Sequence, residues 1–253
     1  MTDPKLFARY FYSHPAFGET YYKLDDGLAF ASAESTEVFS EVASTPLVDL
    51  IRSNLTDHVP YHGFIHSIVT TELAFHIAYN VYRLPIEDCI CVMLAGYLHD
   101  IGHQGFSDDQ INIHHSCKLA TRLLMSDIGL KEVSLEDRIK ILEAIRATRF
   151  VRGANVFPDH DVNDLIGHCV HVADLLNCLT YNWPDLFVCL AEEMNVCIDN
   201  MSDFYKFAEQ NFKFLRSVFD RGEFGAELSG VVLDYLTKME IALEFWSKGI
   251  HGE

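Results

Sequence analysis

Residues 86–105 read IEDCICVMLAGYLHDIGHQG. An opening Pro85 and a closing Gly102 bracket a run with Ile90, Leu94, Ala95 and Leu98 on one side, the spacing of a buried helix of about 86–102. The apolar stretch Val92–Leu98 ends directly in His99-Asp100. A carboxylate at the end of such a run is costly unless a counter-charge meets it. That doublet sets the question for the rest of the chain: which residues bring the compensating charge.

Outward from it, apolar periodicity of the helical kind continues in both directions, with few prolines or glycines inside it. It predicts helices at about 32–44, 46–55, 63–82, 114–127, 135–149, 162–181, 185–199, 202–220 and 226–248. Thr45-Pro46 is a helix start with proline just inside the cap. His58-Val59-Pro60-Tyr61 is a turn. Residues 103–113, with Gly105, Ser107, Asp108 and Asp109, form a loop. No alternation of period two is long enough for a sheet, and there is no repeat. The expected class is all-α, a compact multi-helix bundle. Residues 1–45, with Tyr10, Phe11, Tyr12, Phe17, Tyr21 and Tyr22, form an N-terminal helical cap on a catalytic domain of residues 46–253, the two being one structural unit.

The chain has 253 residues, nearly half of them hydrophobic, enough for a substantial core. Nineteen Lys and Arg against 37 Asp and Glu give a net charge of −18, which opposes binding to the backbone of long nucleic acids. No apolar run approaches the roughly 20 residues of a membrane span, and the start lacks the pattern of a signal peptide. The expected location is cytoplasmic, with no membrane partner. The seven cysteines (89, 91, 117, 169, 178, 189 and 197) are odd in number and show no zinc-knuckle spacing. Cys89 and Cys91 are read as helix packing.

Thirteen histidines are distributed unevenly. His14, His58, His76, His160 and His251 stand alone and read as core or surface residues. Others are grouped: His62 and His66 four apart, His99 and His103 four apart, His114-His115, and His168 and His171 ahead of Asp174. In helix 162–181, Val162, Leu165, Ile166, Cys169, Val170 and Ala173 make the apolar stripe. Asp164, His171, Asp174 and Asn177 make a second, polar stripe of the kind that lines a cavity. His66, His99, Asp100 and Asp174 together offer imidazole nitrogens and carboxylate oxygens, the ligands of one divalent metal.

The flanking residues carry a resemblance. H…HD…D is the pattern of the HD superfamily of metal phosphohydrolases, and residues 60–193 resemble the catalytic domain of the class I cyclic-nucleotide phosphodiesterases. Tyr61-His62-Gly63-Phe64-Ile65-His66 is similar to that family's Y-H-N-x-x-H. His99-Asp100-Ile101-Gly102-His103-Gln104-Gly105 is similar to H-D-x-x-H-x-G, and Val170-His171-Val172-Ala173-Asp174-Leu175-Leu176-Asn177 to V-H-C-A-D-L-x-N. His114-His115 falls where the family has a histidine pair at a helix start. The resemblance implies a tight metal (Zn, Fe or Mn) on His66, His99, Asp100 and Asp174, and a second (Mg or Mn) bridged by Asp100 and otherwise held by water. It implies a hydroxide between the two ions that attacks phosphorus. His62 would be the general acid for the leaving 3′ oxygen, oriented by Glu192 in Ala191-Glu192, with Glu193 its rival. His103 and His115 would orient ligands and waters. Tyr61, Asn177 and Gln210 would contact the substrate, a small phosphorylated nucleotide.

The chain departs from the family at three points. Gly63 stands in place of asparagine. Arg149 stands in place of the aspartate of A-T-D. The family's glutamine and stacking phenylalanine have no counterpart at the right spacing; Gln210 with Phe212 or Phe214 comes nearest. The Phe-rich stretch with Phe204, Phe207 and Phe219 is read first as core. The leading expectation is hydrolysis of a 3′,5′-cyclic nucleotide to the 5′-monophosphate. The alternatives are an HD-type nucleotidase or phosphomonoesterase, a di-iron oxygenase using His103, His114, His115 and His171, and a regulatory protein that keeps the metal without turnover.

Overall fold

The computed structural model describes residues 30–55, 59–105, 108–151, 157–179, 183–221, 224 and 226–250. The aromatic residues of 1–29, with His14, His58, Ser107 and His251, lie outside them. The described elements are helical, as the periodicity predicted. They fall into two compact units, residues 30–177 and 178–250.

In the first unit, α1 (Ala33–Val42) starts at a capping box in which Ser32 and Ser35 satisfy each other's backbone N–H groups. This is the Ser/Glu-rich helix expected within the N-terminal cap, and it groups with residues 30–177. Thr45 caps α2 (Pro46–Arg52), with Pro46 at the first turn. The long helix expected from 63 to 82 is α3 (Phe64–His76) followed by a π turn, Ile77–Val81, in which the Tyr82 N–H reaches the Ile77 carbonyl. That one-residue expansion changes the direction of the side chains beyond it. α4 (Ile86–Leu98) stops four residues before Gly102, because the Ile101 and His103 N–H groups turn back on Leu98 and Asp100.

Next come α5 (Asp109–Leu124), capped by Asp108 and begun earlier than expected, the short α6 (Gly129–Glu132) and α7 (Leu135–Ala147), capped by Ser134. α8 (Leu165–Asn177) closes the unit. α3 packs on α4 and α8, while α7 packs on α8, α4 and α5. Phe75, Ile77, Val92, Leu98, Ile141, Ile145, Cys169, Val170 and Ala173 fill the space between them. Cys89 and Cys91 are packing residues, their thiols pushed up to about 11 and about 12 by burial.

Two glycines fix how closely the elements meet. A Cβ on Gly96 would lie 2.8 Å from the Thr71 Cα, so α4 crosses α3 backbone to backbone. A Cβ on Gly102 would lie 2.5 Å from the His115 carbonyl carbon, so α5 presses on the turn that follows Asp100.

The second unit holds α9 (Trp183–Glu193), α10 (Met201–Phe219) and α11 (Ala226–Ile250). α9 ends at Glu193, and two residues beyond it Asn195 has φ 55°, so the helix expected to reach 199 stops at 193. Trp183 meets Phe187, Phe204 and Phe212, and all four are buried. The Phe-rich helix is therefore core. Arg216 on α10 bonds Glu240 and Thr237 on α11. Among the described residues no helix is long and apolar enough to cross a membrane.

Candidate metal centre

His66 comes from the first turn of α3, His99 and Asp100 from the turn that ends α4, and Asp174 from the last turn of α8. The close α3–α4 crossing at Gly96 brings the first two together. His66 Nε2 lies 3.2 Å from His99 Nε2, 3.2 Å from Asp100 Oδ2 and 3.0 Å from Asp174 Oδ1. His99 Nε2 lies 3.0 Å from Asp100 Oδ2 and 3.5 Å from Asp174 Oδ1. The four residues form one group of potential ligands. Around an ion with bonds of about 2.0–2.2 Å, neighbouring ligands stand roughly 3–3.5 Å apart, which is the spacing here.

Two further observations fit a cation. His99 Nδ1 donates to the Gly96 carbonyl at 2.7 Å, so the neutral ring presents its Nε2 lone pair to the cluster, the tautomer a metal requires. The electrostatics also favour positive charge. Burial works against charge on His99, yet Asp100 and Asp174 hold its pKa well above the ordinary value. Burial likewise opposes ionisation of Asp100, but His99 and His62 hold its carboxyl well below the usual range. Asp174 is lowered too, its burial outweighed by its bonds to His66 and His99. Two ionised carboxylates, Asp100 buried and Asp174 half-buried, facing two imidazoles fit a divalent metal, and the mixed N/O donor set suits Zn, Fe or Mn.

His62 stands outside this set and beside it. Its ring centroid is 5.2 Å from that of His66, and it stacks on His103 at 4.0 Å. Tyr61, buried, lies edge-on to His62 at 4.7 Å and against His66 at 4.8 Å, so it steadies both rings. His103 is buried, and its Nδ1 accepts from the Gly105 N–H at 3.1 Å. His115 sits half-buried on α5, whose backbone packs on Gly102. In the second unit, Glu192 is exposed on α9 and Glu193 is half-buried, while Gln210 is exposed on α10. Asn177 is fully buried, and its amide nitrogen donates to His66 O at 3.0 Å and Thr70 Oγ1 at 2.8 Å.

Two departures from the sequence pattern have a local structural setting. Gly63 is the N-cap of α3 without a side-chain bond. Arg149 pairs with Asp159 at 2.6 Å.

Two features had no clear signal in the sequence. Asp109, expected only as a loop residue, accepts from the Phe150 N–H at 2.7 Å. Burial pushes its carboxyl up to about 6; the Phe150 bond opposes the shift, and Asp100 and Asp174 add to it. The second is a relay in which Tyr82 O meets His168 Nε2 at 2.7 Å and His168 Nδ1 meets His160 Nε2 at 3.0 Å. Burial, with His160 adding to it, pulls the His168 pKa down to about 4, so the ring is neutral. His160, read as an isolated residue, belongs to this group.

Comparison with known proteins follows the same lines. A family profile described as HD domain matches residues 63–177, the segment that contains all four candidate ligands. Comparison with curated proteins by sequence finds no match. Among solved structures, the chain is similar to the phosphodiesterase domain of the RhoPDE fusion protein from the choanoflagellate Salpingoeca rosetta. The TM-score is 0.61 at 13% identity, over 95% of this chain and 99% of that one. At that identity the likeness is one of fold.

Proposed function

We propose, from the HD domain at residues 63–177, that this protein is a metal-dependent phosphohydrolase acting on a small phosphorylated nucleotide. The bond it breaks is the 3′ ester of a 3′,5′-cyclic nucleotide, leaving the 5′-monophosphate. His66, His99, Asp100 and Asp174 would hold the tight ion. Asp100, with two carboxylate oxygens, would bridge to a second, Mg or Mn. Such ions supply Lewis acidity to phosphoryl oxygens and lower the pKa of bound water.

The observation that carries the cyclic-diester reading is His62, an imidazole beside the ligand set and not part of it. A poor alkoxide leaving group gains most from a dedicated acid. His103 accepts a hydrogen bond at Nδ1, which marks it as neutral, so no second charge opposes a proton on the His62 ring stacked above it. His62 donates that proton to the leaving oxygen, while Tyr61 fixes the plane of its ring. Glu192, or Glu193 beside it, is the carboxylate proposed to keep His62 charged. The net charge of −18 favours a small substrate over a long polyanion.

The test is an assay of purified protein, with Mg²⁺ or Mn²⁺, on cyclic AMP, cyclic GMP and 5′-nucleotides. Turnover of a cyclic nucleotide is the expected result. Release of phosphate from 5′-nucleotides alone would replace this reading with that of a nucleotidase.

A further inference from the structure

We infer that Asn177 is a positioning residue of the metal centre, the amide that sets where α3 presents His66. A metal-ligating histidine ordinarily steadies itself through the ring nitrogen that does not face the metal. His99 does so through Gly96. His66 does not: its Nδ1 is buried with no hydrogen-bond partner among the described residues. The orientation of His66 must therefore come from its backbone and from ring packing, to which Tyr61 contributes at 4.8 Å.

The backbone constraint is Asn177. One amide nitrogen spans 111 residues of sequence to reach the carbonyl of His66 itself, at 3.0 Å. It also bonds the hydroxyl of Thr70, one turn further along α3, at 2.8 Å. Both amide protons are thereby spent on one helix, at the level of the ligand. Asn177 lies three residues beyond Asp174, one turn along α8 and on the same side. So α8 contributes one ligand and, a turn later, fixes the register of the helix that contributes another. Asn177, Thr70 and the His66 side chain are all within 1% of complete burial. A slip between α3 and α8 would leave a polar amide unsatisfied in the core, which makes the register stiff. The resemblance to phosphodiesterases implies a substrate contact for this residue; its burial and its bonds give it to the ligand helix.

The inference rests on the metal reading above, and metal binding by itself tests it. Metal-free protein is titrated with Co²⁺, recording affinity and the visible absorption of the bound ion, for wild type, Asn177→Leu and Thr70→Val. Ile145→Ala, a core truncation on α7, serves as the control for lost stability. Asn177→Leu is expected to weaken Co²⁺ binding about 10–100-fold and to alter its spectrum. Thr70→Val should shift both in the same direction by less, and Ile145→Ala should lower the unfolding midpoint with affinity and spectrum unchanged. Wild-type affinity and spectrum in Asn177→Leu would overturn the inference, as would an equal loss in Ile145→Ala. If Asn177→Leu does not fold, unchanged Co²⁺ binding in Thr70→Val overturns it instead. A wild-type protein that takes up no ion would remove the metal reading itself, a different failure from either.

Discussion

The rings of His62 and His103 stack with centroids 4.0 Å apart and planes 23° from parallel. Two imidazoles in such contact do not both carry charge cheaply. The Gly105 N–H bound to His103 Nδ1 resolves the conflict, because it commits that ring to the neutral form. In the proposed mechanism His103 would then be the neutral support and His62 the proton carrier.

His62→Ala should therefore lower kcat by about 10²–10⁴-fold while the bound metal stays at the wild-type level. A diester with a p-nitrophenolate leaving group needs little protonation, so its hydrolysis should suffer far less. Equal losses on both substrates would assign His62 to binding.

Asp174→Ala and His99→Ala should each abolish tight metal binding and activity together, since each removes a ligand and leaves an uncompensated buried partner. Elemental analysis after gel filtration checks the first, the assay the second. Treatment of wild type with a chelator should reproduce the loss, and added Mn²⁺ should reverse it.

Glu192→Gln and Glu193→Gln separate two adjacent carboxylates on α9. Glu192 is exposed and Glu193 half-buried. If one of them keeps the proton on His62 as proposed, its neutralisation should shift the alkaline limb of the pH–rate profile to lower pH, because His⁺ would lose its counter-ion. The other should leave the profile where it is.

How much of this was legible beforehand follows from the range of each interaction. The helices could be read because caps and periodicity are local in the chain, and the four candidate ligands because each sits in a short motif of its own, although residues 66 and 174 are far apart in sequence. The Phe-rich helix was legible as core for the same reason. The direction of Asn177 was not, since the polar stripe of α8 shows a face and not what it meets. The Tyr82–His168 bond joins residues 86 apart and depends on the π turn at Ile77–Val81, which no local pattern marks. Asp109 looked like a turn residue because its partner, the Phe150 N–H, belongs to another helix end.

His168 gives a pH prediction of defined sign. Its folded pKa is about 4 against an unfolded value of 6.5. The unfolded chain thus binds the extra proton between those values, and stability falls as pH drops from about 6.5 towards 4. From this residue alone the loss between pH 7 and pH 5 should be about 2 kcal/mol. Denaturant melts of His168→Gln should show a correspondingly flatter pH dependence; an unchanged slope would mean that other groups set it.

Gly96→Ala should cost roughly 1–3 kcal/mol, because the new methyl meets backbone and not a movable side-chain tip. It should also weaken metal binding by spreading His66 from His99. A melt and a metal titration on the same sample would show whether the two effects travel together.

The centre is unevenly enclosed. The side chains of His66 and His99 are 0% and 1% exposed and that of Asp100 is 7%, while Asp174 is 22% exposed. An ion arriving from solvent would therefore meet a carboxylate first and the imidazoles last, and a departing one would break with Asp174 at the end. How fast such a centre exchanged its ion would then be governed by one side chain on α8, separately from how tightly all four held it. Two variants of equal affinity could differ widely in how long they survive dilution.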